Sequence, residues 1–485
     1  MFLTQSDIIA ILRQYNPWWS GSPIPALPTW KRAAFGGLQA WLKQPPQGRA
    51  VLLSGPRQVG KTTLFLQAIQ GLVEEGVPPA NILYVTLDHP LFKLAGLEQL
   101  LKVWRDHEPA KEGPEYLFLD EIHLLKDWQV WVKHQVDFDK RRRIAFTGSA
   151  TPLIRDSQES GVGRWSALRL PTLSFFEYLQ IRKQAAPPGI PELGSLNKLF
   201  DWEVRDFAKV AAAAQPLTGL FHEYLLRGGF PQSAQEDNLY VAQRLLREDI
   251  VDKVLKRDMT AMFGVRRVLE LEQVFLYLCL HDGGILDMVA LCKNLGLKRP
   301  TVANFIDLLE STHLIYRLLP FGYGKEILRG RAKIYAADPA IAPSVLLKGK
   351  GLLEDGVALG HAVETAFFKH VYTHYYLRNA SFSYWRDRKD LEVDVIADVE
   401  GRLLPFEVKY RDTLKAEERK GLLQFCTEKK VERAYLITKQ MSDFSVAKRG
   451  TNDTAVLELP APLACYWLGQ MEQRDHLGVE GIAIS

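Results

Sequence analysis

The chain has 485 residues, 47% of them hydrophobic and 24% charged, with a formal net charge of +4. That length and balance exclude a disordered or fibrous chain, imply about two to four globular domains, and leave nucleic acid as a partner the charge permits without demanding it. The scattered cysteines Cys279, Cys292, Cys426 and Cys465 form no C-x-x-C pair, which argues against a disulfide framework or a cysteine zinc site; with no bilayer-length apolar run and no signal-peptide pattern, a cytoplasmic protein outside the membrane is expected.

Helical periodicity predicts a first helix over Ser6–Tyr15, with Ser6 and Asp7 suited to its N-cap. Asn16-Pro-Trp-Trp19 and a proline-rich connector to Pro28 lead to a second helix over Trp30–Lys43. Trp18 and Trp19 read first as an apolar lid on the core, with stacking on an adenine base as the alternative. Ala50-Val-Leu-Leu-Ser54 then predicts a buried strand, and the run from Thr63 predicts a helix.

Between these two lies Gly55-Pro56-Arg57-Gln58-Val59-Gly60-Lys61-Thr62-Thr63, which fits G-x-x-x-x-G-K-[ST]. Its glycines let successive backbone N–H groups turn toward phosphate oxygens. Lys61 adds a cation for the β- and γ-phosphates, and the Thr62 hydroxyl is suited to ligate Mg²⁺. The following helix points its positive end at the same anion. ATP and Mg²⁺ are therefore the expected cofactors.

Asn81–Asp88 predicts a second strand and Leu97–Trp104 a helix. Tyr116-Leu-Phe-Leu-Asp-Glu121 is an apolar run ending in two acids. Such a strand carries Asp120 to its carboxyl end, where it can hold the Mg²⁺ shell, and sets Glu121 to polarise the attacking water. After a helix over Trp128–Val136, the basic run Lys140–Arg143 reads as a solvated loop. The strand behind it ends in Thr147-Gly-Ser-Ala150, where Ser149 is the first choice to sense the γ-phosphate and Thr147 the alternative.

The phosphate loop, LFLDEIH, TGSA and GRW…LRLPTLSFFEYL, taken in that order, resemble the prokaryotic AAA-type ATPases that carry a C-terminal domain of formerly unknown function. The resemblance extends over nearly the whole chain. It implies an α/β core with strand order 5-1-4-3-2 and an arginine that completes the nucleotide site, here Arg164. That arginine would act within its own chain or across the boundary of a homo-oligomer. The ATPase domain is expected over 1–184. A helical lid is expected over 185–262, carrying a Gly228-Gly-Phe-Pro231 turn to which no chemistry is assigned.

Helices over Val268–Leu280, Leu286–Leu295 and Arg299–Glu310, with strands at Leu314–Leu319 and Lys333–Ala337, make a winged-helix pattern over 263–345. Its recognition helix would offer Lys298, Arg299, Thr301 and Asn304 to DNA, with Asp307 and Glu310 opposing phosphate. In the remaining 346–485, a helix from Gly360 precedes a strand at Ser383–Arg386 and a hairpin of Leu391–Asp398 with Leu403–Tyr410. Period two sets Glu392 and Asp394 on one face of the first hairpin strand, and Glu407 and Lys409 on one face of the second.

That constellation resembles the PD-(D/E)XK nuclease superfamily, although no proline precedes Asp394. By that resemblance the domain would have a restriction-endonuclease-like α/β fold. Asp394, Glu407 and the helix acid Glu364 would be its metal ligands, and Lys409 its catalytic lysine. The expected function is an ATP-hydrolysing motor or switch acting on DNA, with a nuclease-like domain that binds and in some members cuts nucleic acid. The alternative is a nucleotide-dependent signalling switch whose C-terminal domains bind protein and cut nothing.

Overall fold

The computed structural model describes residues 4–25, 27–46, 48–148, 164–260, 264–322, 330–450 and 453–476. Ser149 and the segment Ser160-Gly-Val-Gly163 that precedes Arg164 lie outside the described residues. Two compact units divide the chain. The first runs through Pro171 and includes Ser311–His313; the second begins at Thr172.

In the first unit, β1 (Ala50–Ser54), β2 (Ile82–Thr86), β3 (Glu115–Asp120), β4 (Arg142–Gly148) and β5 (Trp165–Arg169) form a sheet in the order β2-β3-β4-β1-β5. This is the order the resemblance implied, and every neighbouring pair is parallel. All residues of β1, β2 and β3 are buried, as expected of a sheet covered on both faces. Leu52, Leu83, Val85, Leu119 and Phe146 meet Leu100, Trp104, Trp128 and Val132 from the helices in one core.

The first helix runs over Gln5–Tyr15. Its cap is Thr4 rather than Ser6 or Asp7: the Thr4 hydroxyl accepts from Asp7 N at 3.2 Å while Thr4 N donates to Asp7 Oδ2 at 3.0 Å. Asn16 then covers the open edge of β2, donating to Tyr84 O at 2.9 Å and accepting from Tyr84 N at 2.7 Å. Both indoles, Trp18 and Trp19, donate to Ile82 O. Their polar atoms are spent on the sheet edge, which agrees with the lid reading. The basic run is not a solvated loop throughout, because Arg142 and Arg143 begin β4. Arg142 pairs with Glu115 at 3.2 Å, and Arg143 donates to the Tyr116 hydroxyl at 3.0 Å.

In the second unit, eight strands follow the order β12-β13-β11-β10-β9-β8-β6-β7. They are β6 (Ile315–Pro320), β7 (Lys333–Ala336), β8 (Ser381–Arg386), β9 (Glu392–Val399), β10 (Arg402–Lys409), β11 (Arg433–Thr438), β12 (Ser445–Arg449) and β13 (Thr454–Pro460). The hairpin of β9 and β10 pairs Val399 with Arg402 about Glu400-Gly401. Both loop residues have positive φ, 53° and 81°, the geometry of a tight two-residue hairpin turn.

The strands expected to flank a wing pair with each other, but β6 also pairs with β8. They therefore form the edge of the hairpin's own sheet, and the boundary expected at 345/346 falls within one compact unit. The helix Phe175–Ile181, expected in the ATPase domain, also belongs to this second unit. Leu173 N donates to Gly229 O at 2.6 Å, and Phe175 N donates to His370 Nε2 at 2.7 Å. Gly229 has no room for a side chain, since a Cβ would sit 2.6 Å from Leu173 O. The glycines of the 228–231 turn thus serve a close backbone approach as well as ending a helix.

Among the described residues, no helix is long and apolar enough to cross a membrane.

One pH dependence follows from this packing. His370 Nδ1 lies 2.6 Å from Ala366 O and must donate there, while Nε2 accepts from Phe175 N. Burial, with Lys369 next to it, lowers the His370 pKa to about 3. A group depressed on folding supports stability above its unfolded value of 6.5, and that support is lost as pH falls toward the folded value. The urea midpoint is expected to fall steadily from pH 7 to pH 4, each such group costing about a factor of ten in folding constant per pH unit. His370→Asn should flatten that slope; an unchanged slope in the variant would remove His370 as its source.

Candidate functional site

The phosphate loop leaves the carboxyl end of β1 and enters the helix Lys61–Glu74. Gly55 is dictated by space, because a Cβ there would lie 2.0 Å from Leu170 O. Gly60 is dictated by backbone, with φ at 97°. Arg32, a residue sequence reasoning missed, is buried and braces the loop from outside. It donates to Val59 O and Pro171 O, each at 2.9 Å. Lys61 Nζ donates to Gly55 O at 2.9 Å and Pro56 O at 2.8 Å, so its ammonium lies over the loop that would curl around phosphate.

β3 delivers Asp120 to the same place. Thr62 Oγ1 donates to Asp120 Oδ2 at 2.6 Å, and the Tyr84 hydroxyl donates to the same oxygen at 3.0 Å. The Thr147 hydroxyl donates to Asp120 Oδ1 and accepts from Glu121 N at 2.8 Å. Burial raises the Asp120 pKa, with Glu121 adding to the rise, while hydrogen bonds from Thr147, Thr62 and Tyr84 oppose it. Two hard oxygens, one from Thr62 and one from Asp120, thus converge on one point, a donor pair that fits Mg²⁺. Glu121 follows with φ of 54°, a strained conformation for a residue with a side chain, and its carboxylate lies 3.3 Å from His123 Nδ1.

Thr147, the alternative to Ser149, therefore ties the Asp120 carboxylate to the Glu121 backbone N–H. A buried hydroxyl at a strand end was the available signal; Tyr84, on the neighbouring strand, gave none.

Arg164 stands elsewhere. Its carbonyl accepts from Ala50 N at 2.8 Å, and its guanidinium pairs with Asp137 at 2.8 Å. Because β5 and β1 are parallel, this is the amino end of β1, a strand length of about 16 Å from the phosphate loop. Arg164 thus lies at the end of β1 away from the phosphate loop of its own chain. The arginine paired with Ser54 at the carboxyl end of these strands is Arg169. In the same unit, His313 Nε2 lies 3.2 Å from the Ser54 hydroxyl. Burial, together with the charges of Arg169 and Lys61, lowers the His313 pKa to about 3. The base of the loop is thus a positive region, suited to an anion.

The second unit brings the other predicted residues together. Asp394 on β9 and Glu407 on β10 lie across the hairpin: Asp394 N donates to Glu407 Oε2 at 3.3 Å, and Val408 N donates to Asp394 Oδ2 at 2.9 Å. The Lys409 ammonium bonds Glu407 Oε1 and lies 3.9 Å from Asp394. Glu364, from the helix Gly356–Tyr376, joins them. Asp394 and Glu407 are buried rather than lying on an exposed strand face, and Glu364 is partly buried beside them.

At their centre is a residue that the sequence did not single out. Lys333, at the start of β7, places Nζ 2.7 Å from Asp394 Oδ1, 2.7 Å from Glu392 Oε1 and 2.8 Å from Glu364 Oε1. The Tyr335 hydroxyl donates to the same Glu364 oxygen at 2.8 Å. Burial would raise the Asp394 pKa, but Lys333 and Lys409 outweigh it and hold the carboxyl down at about 2. Burial and the Asp394 charge push Glu407 up to about 8 and Glu364 up to about 7.

As the site stands, the donor set does not fit a divalent ion, because the oxygens that would face it are bonded to an ammonium. Among the described residues, no group of three or more His, Cys, Asp and Glu side chains is arranged to hold a metal.

Residues 47–179 match the family described as AAA domain; residues 218–351 and 359–460 match two families described as domains of unknown function (DUF8612 and DUF4143). An uncharacterized protein of Methanocaldococcus jannaschii is 27% identical over 346 residues, 69% of this chain and 70% of that one. One of Mycobacterium tuberculosis is 25% identical over 393 residues, 79% and 74% of the two chains. Against one of Haemophilus influenzae, 24% identical, the match covers 59% of this chain and 66% of the relative, just under two thirds of its length.

Among solved structures, the replication initiator DnaA bound to AMPPCP and single-stranded DNA is 16% identical and has a TM-score of 0.26, over 59% of this chain and 89% of that one. Cdc6p from Pyrobaculum aerophilum is also 16% identical, with a TM-score of 0.24, over 70% of this chain and 98% of that one. Overlays this loose carry no argument about this chain.

Proposed function

We propose that the AAA-type P-loop domain at residues 47–179 binds ATP with Mg²⁺, hydrolyses it, and uses the cycle as a switch on DNA. The observation that carries the ATPase is the closure of Thr62 on Asp120 at 2.6 Å, beside Glu121 and under the loop that holds Lys61. Mg²⁺, when bound by Thr62 and Asp120, would supply Lewis-acid polarisation of the phosphate oxygens. Lys61 and the loop N–H groups would bind and orient the β- and γ-phosphates. Tyr84 and Thr147 would hold Asp120 in place, and Glu121 would take the proton of the water that attacks the γ-phosphorus.

Arg169 stands at the carboxyl end of β5, opposite Ser54, and is our candidate for the positive charge supplied within the chain. Arg169→Ala is expected to lower turnover by about 10-fold or more with a smaller effect on nucleotide affinity. Arg164 is left with a role only across a subunit boundary. Arg164→Ala should then matter only in an assembly, and mixing it with Glu121→Gln protein should restore part of the activity. Equal loss in both variants at every protein concentration would sink this division.

The DNA reading rests on the helix Arg299–Ser311, whose leading residues Lys298 and Arg299 are exposed, as is Asn304, with Thr301 half-buried. The charge of the acids that would repel phosphate is partly offset, since the one Arg317 guanidinium pairs with Asp307 at 2.7 Å and also with Glu310. The second reading, a switch on a protein partner, is favoured by a different observation: the nuclease-like acids are already satisfied internally by Lys333.

Steady-state ATP turnover with and without single-stranded, duplex and branched DNA separates the two. Stimulation that weakens as salt rises supports the DNA switch, because phosphate contacts release counterions. Turnover indifferent to every DNA leaves the protein switch.

A further inference from the structure

The charged cluster of the second unit is built around a cation that is part of the chain. An ammonium has three N–H donors and no acceptor. The three donors of Lys333 have three carboxylate partners, Glu364, Glu392 and Asp394, all at 2.7–2.8 Å, and its side chain is only 3% exposed. The partners come from the helix Gly356–Tyr376 and from alternate positions of β9, so the cage closes only when β7 lies in the same sheet.

These acids include Asp394 and Glu364, two of the three that the resemblance to metal-dependent nucleases would assign to a divalent ion. The third, Glu407, is bonded through one oxygen to Lys409 and through the other to Asp394 N. A dication sharing the cage would meet a buried like charge on Lys333 and displace bonds that are already saturated.

We infer that the Lys333 ammonium is the resident cation of this site, standing where a divalent ion would sit. The intact site is therefore closed to Mg²⁺ and Mn²⁺, and its removal opens a site for one oxygen-preferring dication held by Asp394, Glu364 and Glu392. Carboxylate oxygens suit Mg²⁺ and Mn²⁺, and the cage needs to contract from hydrogen-bond distance only to about 2.1–2.2 Å. The inference is independent of nucleotide hydrolysis, which belongs to the other unit.

The test counts Mn²⁺ bound by the full-length chain without nucleotide, using electron paramagnetic resonance titration and thermal unfolding. Asp120→Asn serves as the common background, to silence the phosphate-loop site. The Lys333-intact protein is expected to show no Mn²⁺ binding sensitive to Asp394→Asn. Lys333→Ala is expected to gain one Mn²⁺ per chain and a higher melting temperature in Mn²⁺; both gains should disappear in Lys333→Ala/Asp394→Asn.

Lys333→Gln, one atom shorter but still carrying a donor and no charge, provides a second variant should alanine not fold without metal. Mn²⁺ binding through Asp394 with Lys333 in place overturns the inference. So does the absence of a new site in both variants, or failure of both to fold with and without Mn²⁺, since the ammonium would then not be replaceable by an ion.

Discussion

Glu121→Gln is expected to bind ATP as the parent does and to hydrolyse it about 10²–10⁴-fold more slowly, the usual scale for loss of a general base. The argument rests on the division of work at the end of β3. Asp120 is held by hydrogen bonds from Thr62, Tyr84 and Thr147, none of which the substitution removes, and losing the Glu121 charge only relieves part of the rise in the Asp120 pKa. Glu121 takes its position from its backbone, with φ of 54° and its N–H bonded to Thr147 Oγ1 at 2.8 Å. Glutamine preserves that N–H, the side-chain length and the volume, and removes only the basic oxygen. Single-turnover hydrolysis and nucleotide affinity measured on the same preparation check it. Unchanged turnover would move the role to another acid; a parallel loss of affinity would mean that Glu121 holds the metal rather than the water.

Asp338→Ala is expected to destabilise the second unit by about 3–5 kcal/mol, the scale seen when one member of a buried ionic network is removed. Asp338 is fully buried, accepts from Gly229 N at 2.9 Å and Ala340 N at 3.1 Å, and lies 3.5 Å from the Lys369 ammonium. Lys369, itself buried, also donates to Thr172 Oγ1 at 2.8 Å and Leu173 O at 2.7 Å. The substitution would take the Asp338 charge from beside the Lys369 ammonium and the acceptor from two backbone N–H groups, Gly229 and Ala340, in a place water does not reach. Lys369→Met/Asp338→Ala should be less damaging than Asp338→Ala alone, because it removes both charges. Urea unfolding of the full chain measures this, and a double variant as unstable as the sum of the single variants would argue that the charges are not coupled.

Much of the nucleotide site could be read directly from the chain, because its parts are consecutive. An apolar run, a glycine loop with Lys61 and Thr62, a helix, and a second apolar run ending in Asp120 and Glu121 each carry their signal within ten residues or so. The hairpin about Glu400-Gly401 was legible for the same reason, as strand periodicity and turn residues are local. Strand direction was not. Arg164 follows Gly161-Val-Gly163 in the sequence, but a parallel β5 starts at the amino end of the sheet and takes that side chain away from the phosphate loop, leaving Arg169 at the other end.

By itself, then, the sequence determined the loop chemistry, the acid pair that answers it, and the alternation that sets Asp394 beside Glu407 and Lys409. Tertiary structure alone decided what those carboxylates face. Lys333 is 61 residues from Asp394 along the chain and reaches it only because β6 and β7, which looked like a wing, extend the hairpin's sheet. A buried charge must find its counter-charge wherever the fold brings one, and no local pattern records which lysine that will be.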